Sequence, residues 1–319
     1  MGGMTAPFAA PFMSRALVEV ALLALVCGPV SVFVFVRRLS FVADALTHTV
    51  FPGVVVGYLV AGQDGIVGGA LVAGVVTGVA LTLLGRDSSM TDDASTAVVL
   101  TAMFSIGVVL VSRRPSYTSD LTSLLFGRIL TVTPAQLAQT AALAAVILAL
   151  LGAGARALVF RAFDPAAARA AGFRITVLDL WLNLLVALVV VAAVRAVGTV
   201  LVIALLIVPA AVARLVTDRL PAMAAVGTVL TFAAGYLGLL ASWTASVDHG
   251  WRLTSASAVV LFLVLAYLAA LPVGLVRRRR RWAAAADREA PSAPDGACHG
   301  FTAGAQPRPA LPQVSEAVR

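Results

Sequence analysis

Hydrophobic residues in this chain come in long runs separated by short polar breaks, and the length of the runs decides the architecture. A helix rises 1.5 Å per residue, so about 17 to 25 apolar residues in succession cross the roughly 30 Å hydrocarbon layer of a membrane. Nine segments reach that length, at about 16–36, 41–61, 66–85, 94–112, 135–155, 177–195, 198–216, 222–242 and 254–276. Two breaks, at Gln63-Asp64-Gly65 and Val197-Gly198, are tight enough that eight or ten crossings fit the same pattern. The pattern predicts an all-α, polytopic membrane helical bundle of about eight to nine transmembrane helices. The first run is flanked by Arg37 and Arg38 on its C-terminal side, the reverse of secretory-signal order, so it reads as a span. Three regions follow: an N-terminal segment 1–15, a membrane domain 16–282, and a tail 283–319. In the tail Pro, Ala, Ser and Gly take over, a composition expected to stay disordered on the cytoplasmic side.

Composition narrows the function. Hydrophobic residues make up 61% of the 319 and charged ones 12%, with mean hydropathy +0.99, against roughly 25% charged in a soluble domain. A water-soluble enzyme is excluded on that ground, and no nucleophile–base pair or cofactor loop argues for an enzyme of another kind. The net charge of +8 comes from 23 arginines and 15 acids, with no lysine anywhere. A Walker A phosphate loop requires a lysine, so any ATP hydrolysis that drives this chain belongs to another subunit. Cys27 sits in an apolar run and Cys298 in the tail, so neither a disulfide framework nor a cysteine metal site is predicted.

Arginine placement sets the orientation, because basic residues are retained on the cytoplasmic side. With nine spans and an outside N-terminus, fourteen arginines (Arg37, Arg38, Arg86, Arg156, Arg161, Arg169, Arg174, Arg214, Arg219 and 277–281) fall inside. Six (Arg15, Arg113, Arg114, Arg128, Arg195 and Arg252) fall outside. The C-terminus is then cytoplasmic, and the run 277–281, directly abutting a span, reads as a topology anchor that touches anionic lipid, not as a nucleic-acid patch.

A charge inside the hydrocarbon costs about 2.5 to 3.5 kcal/mol on insertion scales, so each needs a reason. In SFVADALTHTVFPG, Asp44 and His48 are four apart and share a helical face. A carboxylate with a neutral imidazole suits Zn²⁺ or Mn²⁺ better than Mg²⁺; the competing reading is that Asp44 caps the helix or hydrogen-bonds His48. In MTDDASTAVVLTAMF, Asp92 reads as a helix cap and Asp93, one residue deeper, as a ligand that could converge with Asp44 and His48 on one ion. Glu19 either lines the same interior or sits near the outer boundary. Asp248 and His249, between Trp243 and Trp251, read as an interfacial anchor, with a docking contact as the alternative.

Two loops are more than connectors. The apolar stretch from Leu121 to Leu130 is too short to span and predicts a re-entrant or interfacial helix. RAFDPAAARAAGFRITVLD places Asp164 at a helix N-cap, Pro165 at the first helical position and Gly172 at the close, a short helix with a small-residue face. That face suits another protein's groove, and an ordinary surface linker fits equally. Small residues between Gly68 and Gly78 predict tight helix packing, a close bundle or dimer and not a wide pore. Pro209 predicts a kink in its span.

Together these segments resemble the permease subunits of zinc/manganese-type metal-ion ABC transporters. RRLSFVADALTHTVFPGVVVGYLV is similar to that family's arginine, serine, then G-D-A-L-S-H-x-x-x-P-G pattern. DDASTAVVLTAMFSIGVVLVS, SDLTSLLFGRIL, FDPAAARAAGF and AVGTVLVIALLIVPAAVARL continue the likeness in order across roughly 16–276. The resemblance implies an all-helical permease that dimerises, partnered by two cytoplasmic ATPase subunits and an extracytoplasmic metal-binding lipoprotein. It moves a divalent metal, zinc or manganese with iron in the same class, and holds no permanent cofactor. By motif position, Asp44 and His48 inherit the metal site with Asp93 as companion. Asp164, Pro165, Ala168, Ala171 and Gly172 inherit the ATPase-coupling helix. The rival classes are a proton-coupled secondary cation transporter, with Asp44 and Asp93 as proton carriers, and a ferric-siderophore or cobalamin ABC permease, which has no need of a carboxylate–imidazole pair.

Overall fold

The computed structural model describes residues 8, 10–85, 91–112, 127, 129–248, 250 and 253–289. The chain divides into a compact unit, Met1–Arg277, and a second unit, Arg278–Arg319. Among the described residues there is no strand, and nine α-helices follow one another: α1 Pro11–Val36, α2 Ser40–Thr49, α3 Phe51–Leu84, α4 Asp92–Ser112, α5 Pro134–Phe163, α6 Pro165–Ala170, α7 Ile175–Val216, α8 Leu220–Asp248 and α9 Ser255–Glu289. The last helix runs past Ala283, where the sequence led us to expect the tail to begin. Of the apolar stretch 121–130, all but Gly127, Ile129 and Leu130 lies outside the described residues; Ile129–Thr131 is a 3₁₀ turn with Ile129 buried.

Two of the helices are hairpins. In α3 the backbone leaves the helical region at Ala61 and Gly62 (φ 62°), and beyond it Gly69 backs onto Gly53 and Gly65 onto Gly57, so the two arms run antiparallel. In α7 the break is Gly198, at φ 77° and ψ 165°. Asp179, before the break, is bonded to Arg37 at the end of α1, and Ala210 and Ala213, after it, cluster with Val32 near that same end. A straight helix would set Asp179 and Ala213 about 50 Å apart, so α7 doubles back. Both glycines occupy a backbone region that side-chain-bearing residues avoid. Eight helical stretches among the described residues are long and apolar enough to cross a membrane. Counting the doubled α7 twice gives nine candidate crossings among the described residues.

The α7 hairpin is the core of the bundle. Most of its residues are buried, and α1, α2, α3, α5 and α8 pack around it. Lipid gives helices no hydrophobic reason to associate, so close backbone approach does the work. A methyl group at Gly28 would meet Thr228 of α8, one at Gly235 would meet Val20, and Gly74 and Gly78 rest on Ala187 and Leu184 of α7. The tight packing expected around Gly68 to Gly78 is thus present, although Gly68 itself faces open space. The result is a bundle with two distinct ends. One gathers the C-terminus of α1, both ends of α7 and Arg277 of α9; the other carries the two hairpin turns.

Candidate metal site

Asp44 is the fifth residue of α2, well inside the helix, whose N-cap is Leu39 with no side-chain cap. The capping reading of Asp44 therefore falls. His48 Nε2 lies 3.7 Å from Asp44 Oδ1, too long for a hydrogen bond, so the two groups face one another without satisfying one another. Their side chains are 37% and 33% exposed. The His48 ring stands edge-on to Phe104 of α4 at 6.3 Å, and Phe104 also meets Phe51. Thr47 is occupied, donating its hydroxyl to the Asp44 carbonyl at 2.7 Å.

The expected third ligand does not join them. Among the described residues no group of three or more His, Cys, Asp or Glu side chains could hold a metal ion, and Asp93 is exposed at the first turn of α4. The register explains why. Phe104 is level with His48 and Gly107 with Phe51 and Pro52, so the α4 residue at the depth of Asp44 is near 100, and Asp93 lies about 10 Å along the axis from it. Counting both helices from their starts misplaced it, because α4 begins farther toward its own end of the bundle. The hydroxyl of Thr91 caps α4, accepting from the Ala94 amide at 3.2 Å; the side chain of Asp92 lies outside the described residues.

Glu19 is interior. It is fully buried, accepts a hydrogen bond from Thr140 at 2.9 Å, and its second oxygen has no partner among the described residues. It borders a small cavity with Gln136, Gln139 and Arg195, and Arg195 donates to Gln139 at 3.1 Å. This lies toward the hairpin-turn end, among α1, α5 and α7, away from the α2–α4 face that carries Asp44. At the end of α8, Trp243 meets Phe12 and Asp248 is exposed; His249 and Trp251 lie outside the described residues.

The sequence reading missed a charge cluster at the opposite end. Asp179 accepts from Arg37 Nη2 at 2.9 Å and from Arg161 Nη2 at 3.1 Å. All three border a polar cavity of about 160 Å³ together with Thr82, Thr96 and Asn183. A second, more exposed bridge joins Asp218 to Arg214 and Arg277. The signal available for Asp179 was its position as the lone acid near the start of a long apolar run.

The short helix α6 forms as its sequence reads. Asp164 accepts from the amides of Ala166 and Ala167. Gly172, at φ 87°, closes the helix with Gly172 N–H to Arg169 O and Phe173 N–H to Ala168 O, while the Phe173 ring stands edge-on to Phe160. One detail is corrected: Ala168 is fully buried against its own protein, so the outward face is made by Pro165, Ala166, Arg169, Ala170 and Ala171, flanked by exposed Phe163 and Phe173.

The family model for the ABC 3 transport family matches residues 9–273. The chain is 33% identical over 239 residues to the manganese transport system membrane protein MntC of Halalkalibacterium halodurans, covering 75% of this chain and 81% of that one. It is 34% identical over 237 residues to the chelated iron transport system membrane protein YfeD of Yersinia pestis, covering 74% and 79%. Among solved structures it resembles PsaBC from Streptococcus pneumoniae in complex with Fab, at TM-score 0.73 and 28% identity, covering 84% of this chain and 94% of that one.

Proposed function

This chain belongs to the ABC 3 transport family, and from that premise we propose that it is the permease subunit through which an ABC importer carries a divalent transition-metal ion, manganese or zinc with iron in the same class. It is a multi-pass membrane protein of an ABC transport system and not an enzyme. The relatives named for manganese and for chelated iron support the cargo class. The observation that carries the proposal is the Asp44–His48 pair: a carboxylate and an imidazole 3.7 Å apart, unsatisfied by each other and open on one side, within a helix that crosses the membrane. Borderline-soft metals favour that donor set.

A carboxylate one-third exposed on a membrane helix is too costly to face lipid. A second permease copy covers it in this reading, and the metal passes between the copies. The arginine-rich end is cytoplasmic, and there α6 offers its outward alanines and flanking phenylalanines to an ATPase subunit, needed because a lysine-free chain builds no Walker A loop. A metal-binding lipoprotein delivers the ion to the hairpin-turn end. Membership in an ABC family sets the proton-coupled carrier aside. The test is uptake of radiolabelled Mn²⁺, with Zn²⁺ and Fe²⁺ as competitors, into proteoliposomes that hold the permease with its ATPase and binding protein. We expect ATP-dependent uptake that needs both partners; uptake by the permease alone, driven by a proton gradient, overturns the proposal.

A further inference from the structure

We propose that Asp179 is a positioning residue for transport: by holding Arg37 and Arg161 together it ties the ATPase-docking helix to the helix that carries the metal pair. This rests on the reading of α6 as that docking helix. Arg161 lies three residues before the α6 cap Asp164, and Asp179 lies in the second turn of α7, just beyond α6. Their 3.1 Å bond therefore closes the chain on either side of α6 into a loop. The other oxygen of Asp179 reaches Arg37 at 2.9 Å. From Arg37 only Arg38 and Leu39 separate α1 from α2, whose fifth and ninth residues are Asp44 and His48. Leu39 and Val42 of α2's root border the same cavity as the three charged side chains. A push on α6 thus reaches the root of the metal helix through two charge-assisted bonds.

The cluster also has the makings of a two-state element, which energetic coupling between distant sites requires. The cavity of about 160 Å³ is many times the roughly 10–15 Å³ of such volume that one water needs, so the side chains that border it have room to move. Arg37 Nη1 and Arg161 Nε are buried and take no partner among the described residues, leaving donors free for a second arrangement. The Arg214–Asp218–Arg277 bridge has the same composition but is more exposed and leads to no metal ligand. It serves as the control.

The experiment compares Asp179→Asn, Asp179→Glu, Arg161→Gln and Asp218→Asn in the full complex with ATPase and binding protein, measuring Mn²⁺ moved per ATP hydrolysed. Asp179→Asn and Arg161→Gln should lower that ratio about tenfold, the effect of a coupling near 1.4 kcal/mol, with hydrolysis retained. Asp179→Glu should restore most of it, and Asp218→Asn should leave it unchanged. A purely structural role lowers uptake, hydrolysis and complex yield together at a constant ratio, and that result overturns the proposal. If Asp179→Asn fails to assemble, Arg161→Gln decides, since it leaves the Arg37 bond intact. Ala171→Glu separates the two readings: if it uncouples while Arg161→Gln does not, the docking helix stands and the relay falls; if neither does, both fall.

Discussion

Asp44 and Asp179 are each a single acid one or two turns into a helix that starts at the arginine-rich end, yet their surroundings are opposite. Asp179 has both oxygens engaged by guanidinium groups from two other helices, at 2.9 and 3.1 Å. Asp44 has only the His48 imidazole near it, at 3.7 Å, and no other ion pair among the described residues. A charge held on both sides by fixed partners stabilises an arrangement of helices. A charge left without them keeps its lone pairs for something that comes and goes. If Asp44 holds the transported ion as proposed, the difference separates architecture from transport chemistry among residues that composition treats alike.

The sharpest way to break that contrast is to remove the members of the Asp44–His48 pair. Asp44→Ala or His48→Ala should lower Mn²⁺ uptake by roughly 100-fold or more, since loss of groups that only orient a metal's ligands already costs up to about 100-fold, with normal yield of assembled complex. Asp93→Ala, outside the pair, should stay within about twofold. Equal losses at Asp93 and Asp44 would return Asp93 to the ion and mean that α4 shifts its register during transport.

The contrast also divides the two faces of α6. Ala168 is fully buried, so Ala168→Glu forces an unpaired carboxylate among packed groups and should cost about 3 kcal/mol or more of stability. That loss would show in thermal unfolding of the detergent-solubilised chain. Ala171, on the outward face, should accept Glu with unchanged stability and lose transport instead. Normal stability of Ala168→Glu would mean that the α6 contact with its own bundle is looser than its burial indicates.

How much of this was legible beforehand depended on which physical signal was local. The crossings were legible because hydrophobic length alone sets them, down to the hairpin at Gly198 that divides one long helix into two passes. The α6 caps were legible because each acts locally: Asp164 accepts from amides two and three residues ahead, and Gly172 bonds a carbonyl three residues back. The Asp44–His48 proximity was legible because four residues make one helical turn. What failed was inter-helix register: the depth of α4 against α2 depends on where Phe104 and Gly107 settle on Phe51, and counting from the helix start gave no access to it. The Asp179 cluster failed for the same reason, since its partners lie 142 and 18 residues away.

The hairpin turns offer a smaller test. Gly198 and Gly62 both adopt positive φ far from the helical region, a conformation that costs other residues about 1 to 3 kcal/mol. Gly198→Ala should destabilise by that amount. It should do so more than Gly62→Ala, because Gly127 also packs against the backbone of Val197 and Gly198, so the α7 turn has less room to adjust. Equal losses would mean that the approach of Gly127 adds no constraint.

The smallest expected effect falls between two adjacent arginines. Arg37 belongs to the Asp179 cluster, whereas Arg38 ends α1 in the left-handed region at φ 56°, with Leu39 N–H bonded back to Val34 O at 2.8 Å. This is the position a glycine usually takes at a helix C-terminus. Arg38→Gly relieves a left-handed cost of about 1 to 2 kcal/mol but adds unfolded-state freedom worth about 0.4 to 1 kcal/mol. The two nearly cancel, so stability should rise by roughly 0.5 kcal/mol and uptake should not change. Arg37→Gln, one residue earlier, should cut the metal moved per ATP as Arg161→Gln does. If Arg38→Gly lowers that ratio as far as Arg37→Gln, then the corner works through its total positive charge and the specific bond to Asp179 is not what connects α1 to α7. If only Arg37→Gln does so, the carboxylate at Asp179 is the contact through which the corner acts, and Arg38 serves the backbone turn alone.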